Sequence, residues 1–279
     1  MMHLSKTIHY DLFDEEEGVY FPKSTDGSLS YPDEGNNICF DIEDESFWFN
    51  HRNRIISLAV AQHPPEDKII FDVGGGNGCV SSALQNRGFC PVLFEPGLAG
   101  AKNAKKRNLK NVFCSVFNTD VVNEHSVGAI GLFDVIEHIE DDTAFLQQMH
   151  TTLKKDGLVY LTVPAYDFLW SAEDEYSGHY RRYTLEQLCH VLDSAGFDVV
   201  YATYFFWFIP VPAFLLRKIF SGKKTGVEEM TPERLKKGHV LPSYLAAVIN
   251  TMLSLDSFVI SRGKKLPFGG SILVTAKAR

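Results

Sequence analysis

Hydrophobic positions along most of the chain alternate between short apolar runs and longer stretches with helical spacing. The runs predict strands at Ile69–Asp72, Pro91–Phe94, Val112–Cys114, Ala129–Phe133, Leu158–Val163, Val199–Phe205 and Ser271–Ala276. The longer stretches predict helices at Phe47–Gln62, Gly78–Arg87, Leu98–Arg107, Asp141–Leu153 and Thr184–Ser194, the last with Thr184 as its N-cap. This alternation is typical of an α/β protein whose parallel sheet is covered on both faces. The sequence therefore predicts a doubly wound, seven-stranded sheet.

Two segments depart from this alternation and define the domain organisation. Residues 1–46 are polar, acidic and rich in turn formers, which predicts an irregular arm before a core at 47–206. Residues 207–270 form an insertion before the last core strand at 271–279. The insertion begins with an aromatic run and ends in an amphipathic helix predicted from about Pro242 to Ile260.

Charge is spread unevenly over these segments. The net charge is −8, yet 12 of the 27 basic residues and only 4 of the 35 acidic ones lie in 201–279. A basic end favours an anionic partner for this part of the chain, with ordinary solvated Lys and Arg as the alternative. The five cysteines form no CxxC pair and no apolar signal segment is present, so we expect a cytoplasmic protein without a disulfide framework.

A glycine-rich turn follows the first core strand. Asp72 is followed by Gly74, Gly76 and Gly78, which let the backbone turn sharply and approach a ligand closely. Ligands of doubly wound sheets bind outside the carboxyl ends of the strands, where this turn lies. Glu95 ends the next strand, and an acid there can accept hydrogen bonds from a ribose diol. The alternative for the glycine-rich segment is a tight turn that binds no ligand. The alternative for Glu95 is a solvated carboxylate in a loop.

This arrangement resembles the class I S-adenosylmethionine-dependent methyltransferases. Gly131–Ile139 matches the family's fourth-strand motif, and Leu153–Leu158 matches its fifth strand. Phe47–Arg54 and Gly178–Thr184 are similar to segments of a bacterial subgroup that acts on small molecules and sugars. The resemblance implies S-adenosylmethionine as the cofactor, held by Asp72, Gly74, Gly76, Gly78, Glu95, Val116, Phe117 and Phe133. Val116 stands where the family usually has an acid for the adenine, which implies recognition by backbone groups and apolar stacking.

Two other functions fit parts of the pattern. A nicotinamide-dependent oxidoreductase would need a third glycine at Cys79, so the glycine spacing argues against it. The only feature that favours a non-catalytic cofactor-binding protein is Val116, which replaces the acid that the family usually has there. A nucleic-acid substrate is not expected, because the acidic first 200 residues would repel phosphates.

The candidate acceptor chemistry lies in two later motifs. His138 and His179 are candidate general bases, because histidine titrates near neutral pH. The alternatives are a structural turn at Glu137–His138 and a tyrosine-packed loop around His179. Tyr180, Arg181 and Arg182 are candidate acceptor-binding residues, since guanidinium groups suit phosphates and carboxylates. Apart from the neighbours Glu137 and His138, which could in principle donate to a metal ion, no cluster with ligand spacing is visible, so no metal is expected.

The aromatic run of the insertion is the last candidate. Tyr204–Phe220 is too short and too interrupted by prolines to span a bilayer, but basic residues follow it directly. Such a segment, with Trp207 in it, can bind a small-molecule, sugar or lipid-linked acceptor or lie at a membrane surface. A lid or a dimer contact is the alternative. Trp48, Phe49 and Arg52 on the first helix can likewise cover the cofactor, and plain core packing is the alternative for Trp48 and Phe49. The sequence leaves the acceptor, the methylated atom and the oligomeric state open.

Overall fold

The computed structural model describes residues 4–23, 33–212 and 243–279 of the protein. The basic residues in and after the aromatic run, namely Arg217, Lys218, Lys223, Lys224, Lys236 and Lys237, lie outside the described residues. So do Phe214 and Leu215, two apolar residues of the run that are candidates for an acceptor pocket.

A mixed sheet forms the centre of the protein. Its strands are β1 (Phe13–Glu16), β2 (Val19–Pro22), β3 (Ile69–Val73), β4 (Cys90–Phe94), β5 (Asn111–Phe113), β6 (Val127–Phe133), β7 (Leu153–Pro164), β8 (Phe197–Phe205) and β9 (Ser271–Ala278). They lie in the order β1-β2-β5-β4-β3-β6-β7-β9-β8. In this order, the six neighbouring strands from β2 through β5, β4, β3 and β6 to β7 are parallel. β1 is antiparallel to β2, and β9 is antiparallel to both β7 and β8. All seven predicted strands are present, but the sheet has nine strands rather than seven.

The two additional strands come from the N-terminal arm, which is not irregular as expected. β1 and β2 form a hairpin whose turn, Glu17–Gly18, has φ angles of 52° and 81°. Positive φ at both central positions is typical of a type I′ hairpin turn. Tyr20 of β2 stacks on Phe113 of β5 at 4.7 Å, and Phe113 stacks on Phe94 of β4 at 4.7 Å. This aromatic column fixes the hairpin to the edge of the core sheet.

Helices cover both faces of the sheet, as predicted. Those in the described ranges are α1 (Asp33–Glu43), α2 (Phe47–Gln62), α3 (Cys79–Gln85), α4 (Leu98–Lys106), α5 (Asp142–Thr152), α6 (Ala172–Ser177), α7 (Leu185–Ser194) and α8 (Ser243–Ser261). On one face, α2 and α8 pack over β3 and β6 through buried residues such as Ile55 and Leu253. On the other face, α5 and α7 bury Met149 and Leu188. Thr184 caps α7 as predicted, with Gln187 completing a capping box.

The insertion is anchored to the core through a buried polar contact. His51 of α2 and Asp256 of α8 lie 3.0 Å apart, and the same carboxylate oxygen accepts the backbone N–H of Phe206 at 2.6 Å. Asp256 is fully buried, so these two contacts replace the hydrogen bonds that water would otherwise make to it. No helix within 4–23, 33–212 or 243–279 combines the length and the apolar character that crossing a bilayer requires.

Replacing Asp256 with Ala should lower the free energy of unfolding by about 2–4 kcal/mol, because the substitution leaves His51 and the Phe206 N–H buried without their acceptor. Urea denaturation measures the change. Asp193→Ala is the control, since Asp193 is 71% exposed in its ion pair with Arg279 and should matter little. Equal losses in both variants would contradict the anchoring role.

Candidate cofactor and acceptor site

The glycine-rich turn lies at the carboxyl end of β3. The Gly74 N–H donates to the Phe94 carbonyl at 2.8 Å, which ties the turn to β4. Gly76 has a φ of 52°, and a Cβ atom added there would meet nothing within 4 Å. The turn therefore presents bare backbone to the space above it. Gly78 differs, since an added Cβ would lie 2.6 Å from Leu109 and 2.9 Å from Ala104. Gly78 thus permits close packing against α4 and its following loop, in addition to starting α3.

A cavity of about 560 Å³ runs from this turn across the end of the sheet. Its volume lies within the roughly 300–1,000 Å³ typical of small-molecule sites. Asp72 and residues Gly74–Asn77 line one end. Side chains from α2, from the end of the core and from the start of the insertion wall the middle, namely Phe47, Trp48, Phe49, Arg52, Phe206 and Ile209. The far end contains the side chains Glu137, Asp174, Tyr176, His179 and Arg182.

Arg52 lines the cavity, and its contacts could not be predicted from the sequence. Its guanidinium forms an ion pair with Asp134 and donates to the Phe133 carbonyl at 2.7 Å. Asp72 lies deeper, where its carboxylate accepts the Ser81 hydroxyl at 2.6 Å, and burial raises its pKa to about 6. A guanidinium beside a bare glycine turn can bind the carboxylate of an amino-acid-like ligand. The only indication of this role in the sequence is the position of Arg52 on the helix that precedes the glycine-rich turn.

Asp174 organises the far end of the cavity. Its carboxylate accepts two hydrogen bonds from Arg182 at 2.8 Å and contacts the His179 Nδ1 at 2.8 Å. It also accepts the Ser171 N–H and hydroxyl. Burial raises the pKa of Asp174, but the bonds from His179 and Arg182 outweigh it and hold that pKa well below its usual range.

The two arginines predicted to bind the acceptor both have intramolecular partners. Arg182 lines the cavity with its guanidinium bound to Asp174. Arg181 pairs with Asp142 at 3.0 Å and donates to the Glu140 carbonyl. Tyr180, which is 54% exposed, does not line the cavity. Anion binding by these residues stays a prediction, and for the arginines it would have to compete with these ion pairs.

Glu137, His138 and His179 come together beside Asp174. The rings of His138 and His179 are perpendicular with centroids 4.6 Å apart. Burial and the neighbouring His179 lower the pKa of His138 to about 4, so His138 is neutral at pH 7. Burial, with the nearby Asp134 carboxylate, raises the pKa of Glu137 well above its usual range. The expectation of no metal rested on the lack of clustered ligands in the sequence, yet ligand atoms of these three residues lie within 4.8 Å of one another.

Trp207 is predicted to bind the acceptor, and its side chain contacts α8 instead of lining the cavity. Its indole N–H donates to the Met252 carbonyl of α8 at 3.1 Å, and its side chain is absent from the cavity lining. The neighbouring Phe206 and Ile209 line the cavity in its place. The insertion therefore does reach the site, but through Ile209, next to Phe206 at the end of the core.

Comparison with known proteins identifies the family. Residues 47–202, more than half of the chain, match the model of a family described as a methyltransferase domain. The chain belongs to this methyltransferase family. It is an S-adenosylmethionine-dependent enzyme of the class I fold, which decides against the oxidoreductase and non-catalytic alternatives. No curated protein matches the sequence of this methyltransferase.

Solved structures share the fold of the methyltransferase at low sequence identity. One belongs to a complex of the Haloferax volcanii Trm112 methyltransferase activator and a putative methyltransferase, with 14% identity, a TM-score of 0.56 and coverage of 90% of this chain and 99% of that one. Phosphoethanolamine N-methyltransferase 2 of Haemonchus contortus, with S-adenosylmethionine, has 17% identity, a TM-score of 0.52 and coverage of 93% and 61%. An S-adenosylmethionine-dependent methyltransferase of Archaeoglobus fulgidus has 14% identity, a TM-score of 0.50 and coverage of 81% and 94%.

The residues of the methyltransferase fit S-adenosylmethionine at two places. The open Gly76 backbone and Arg52 suit its methionine end. The second place is around Glu95, which does not itself line the cavity, is 6% exposed and accepts the N–H groups of Gly76 at 2.8 Å and Gly97 at 2.7 Å. The buried Nδ2 of Asn36 in α1 lies beside Glu95 and has no hydrogen-bond partner among the described residues. A ribose would supply hydroxyls for both groups. When bound, the cofactor supplies a methyl group activated by a positively charged sulfur.

Of the three remaining residues predicted to bind the cofactor, only Phe133 lines the cavity, and Val116 and Phe117 do not. Phe133 lines the cavity at the end of β6. Phe117 is 2% exposed and packs against Phe94 in the core, whereas Val116 is 43% exposed, and neither lines the cavity. α1 covers this side of the turn, because Asn77 donates to the Asn36 carbonyl at 2.8 Å and to Glu43 at 3.0 Å. The adenine roles of Val116 and Phe117 stay predictions.

Replacing Glu95 with Gln should weaken binding of S-adenosylhomocysteine by on the order of 10- to 100-fold, because the amide loses the charge that a ribose diol and two backbone N–H groups favour. Calorimetry measures the affinity, and circular dichroism checks that the variant is folded. Glu15→Gln on β1 is the matched control, since Glu15 is exposed far from the turn. Unchanged affinity in a folded Glu95 variant would remove this residue from the site.

Proposed function

We propose that the methyltransferase acts on a small-molecule acceptor with an apolar part, a class that includes sugar and lipid-linked acceptors of the bacterial subgroup that its motifs resemble. The observation that carries this proposal is the continuity of the cavity from the glycine-rich turn to the Glu137–His179 end. An acceptor in the far half would lie beside the methionine end of the cofactor. Direct transfer requires this juxtaposition of the two reactants.

The walls of the cavity support an acceptor that is apolar along one side. Trp48 stacks on Phe206 with ring centroids 5.6 Å apart and planes 11° apart, and Ile209 lies next to them. These side chains hold the acceptor in place and exclude water from the methyl group. The polar atoms at the far end then orient the group to be methylated.

His179 is the better placed of the two candidate histidines. It lines the cavity, and its hydrogen bond to Asp174 fixes the ring orientation and leaves Nε2 for other contacts. His138 lies behind it, where its low pKa makes it a weak base. An acceptor hydroxyl or amine would therefore contact His179 first.

Methyl-tritiated S-adenosylmethionine tests the acceptor class. The enzyme is incubated with cell extracts separated into butanol-soluble lipid, aqueous small-molecule, protein and nucleic-acid fractions. We expect label in the lipid or small-molecule fraction, because apolar side chains such as Trp48, Phe206 and Ile209 form part of the cavity wall. Label confined to protein or nucleic acid would contradict the proposal.

A variant pair links that label to the cavity. Ile209→Trp should reduce incorporation at least about tenfold by filling the acceptor half, with little change in affinity for S-adenosylhomocysteine. Val211→Trp is the control, because Val211 is 57% exposed and does not line the cavity. If Ile209→Trp abolishes cofactor binding instead, the insertion supports the cofactor rather than the acceptor.

We further propose a cytoplasmic location with peripheral contact to a membrane surface. The five free thiols support a reducing compartment. One face of α8 exposes Val248, Leu255 and Phe258, at 56%, 44% and 54% of their surface. The guanidinium of Arg262 lies 4.1 Å from the centre of the Phe258 ring. An apolar face flanked by a cation is typical of a helix that lies in the interface of an anionic membrane.

Replacing Phe258 with Glu should reduce sedimentation of the enzyme with vesicles that contain anionic phospholipid, because a charge would enter the apolar interface. Salt should weaken the wild-type association through screening. Val200→Glu on β8 is the control, as an exposed apolar residue on another element, 42% accessible. Equal sedimentation of all three proteins would contradict contact through α8.

A further inference from the structure

Glu137 is a buried carboxylate without a visible partner. Its side chain is fully buried, and both oxygens lack a hydrogen-bond partner among the residues that the structure describes. A buried carboxylate in this state is costly unless it binds a proton or a cation. The cations nearest to this end already have carboxylate partners, since Arg52 pairs with Asp134 and Arg182 pairs with Asp174. The local arrangement therefore offers Glu137 no cationic side chain of its own.

Two imidazoles lie beside this carboxylate, and each is oriented by a hydrogen bond through one ring nitrogen. The Nδ1 of His179 contacts Asp174 at 2.8 Å, and the ring of His138 hydrogen-bonds the backbone of Ser177. Histidines that ligate metals usually donate their other N–H to a carboxylate or a backbone carbonyl in this way. The hydrogen bond to Asp174 leaves the Nε2 of His179 to face the neighbouring ligand atoms.

We propose that Glu137, His138 and His179 bind a divalent transition-metal ion. Their ligand atoms lie within 4.8 Å of one another, against roughly 3.4 Å for neighbouring ligands of a tetrahedral ion with bonds of about 2.1 Å. Small side-chain rotations close that difference. Two imidazoles and one carboxylate suit Zn²⁺, Fe²⁺, Mn²⁺ or Co²⁺ better than Mg²⁺ or Ca²⁺, which prefer oxygen ligands alone.

The site has open coordination positions toward the cavity. Glu137 and His179 line the cavity, so an ion bound to them faces the acceptor half. Three protein ligands with an open position are typical of catalytic rather than structural metal sites. An acceptor oxygen can occupy that position beside the cofactor. This role rests on the function proposed above and replaces the general-base role predicted for the two histidines, whereas the metal site itself does not depend on the acceptor.

Metal titration tests the site without an acceptor. Chelator-treated, full-length protein without a polyhistidine tag is titrated with Co²⁺, whose visible absorption reports ligand number and geometry. We expect one equivalent of Co²⁺ to bind, Zn²⁺ to displace it and Mg²⁺ not to compete. Absence of a visible band, or displacement by Mg²⁺, would overturn the proposal in favour of a protonated Glu137.

Matched variants locate the bound ion. Glu137→Gln and His179→Ala should each weaken Co²⁺ binding by more than about 100-fold, because each removes a ligand outright. Glu140→Gln and His190→Ala are the controls, since both residues are exposed. Unchanged affinity for S-adenosylhomocysteine shows that the ligand variants are folded. Cobalt binding that persists in both ligand variants, or that is lost equally in the controls, would place the ion elsewhere and refute the site.

The metal test and the acceptor test can fail separately. Cobalt binding without methyl incorporation into any small-molecule or lipid fraction would contradict the proposed acceptor class and leave the metal site intact. Methyl incorporation that is unchanged after chelation, together with no cobalt band, would remove the metal and leave the acceptor class intact.

Discussion

The parallel register of β3, β6 and β7 is the constraint on which the whole site depends. Asp72 of β3 pairs with Gly131 of β6, and Phe133 of β6 pairs with Thr162 of β7. Because the three strands run in the same direction, the chain leaves all of them at one edge of the sheet. The glycine-rich turn, the Glu137–His138 turn and the loop that contains α6 are thereby brought to a single cavity.

The periodicity of the sequence predicted the core of this arrangement because each core element buries a regular set of apolar positions. The helix predicted to begin near Pro242 begins at Ser243, and Asp141 caps α5 as an acidic residue at that position should. The hairpin of the arm was missed because Glu17 occupies a turn position where Asn, Asp or Gly is the usual signal. Its strands also bury little except Phe13 and Val19, so they lack the alternation by which strands are recognised.

Contacts between distant segments explain why the site was predicted less completely than the fold. The pairing of Arg182 with Asp174 depends on the fold of one loop, and that of Arg181 with Asp142 joins two motifs that are 39 residues apart. The sequence identified these arginines as possible anion ligands but could not show that acids of the same protein bind them. Similarly, Arg52 contacts Asp134, which lies at the end of a strand far along the chain. The topology of the fold brings such pairs together, and the spacing of residues along the sequence does not predict them.

The hairpin of the arm also determines which strand forms one edge of the sheet. Without it, β5 would offer its backbone N–H and C=O groups to any extended chain, and its residues Val112 and Phe113 are apolar. With it, the outer strand is β1, whose Asp14, Glu15 and Glu16 are all exposed. A second copy that approached this edge would place carboxylates against carboxylates. The arm thus protects the parallel core from edge-to-edge aggregation by substituting a short, strongly acidic strand for an apolar one.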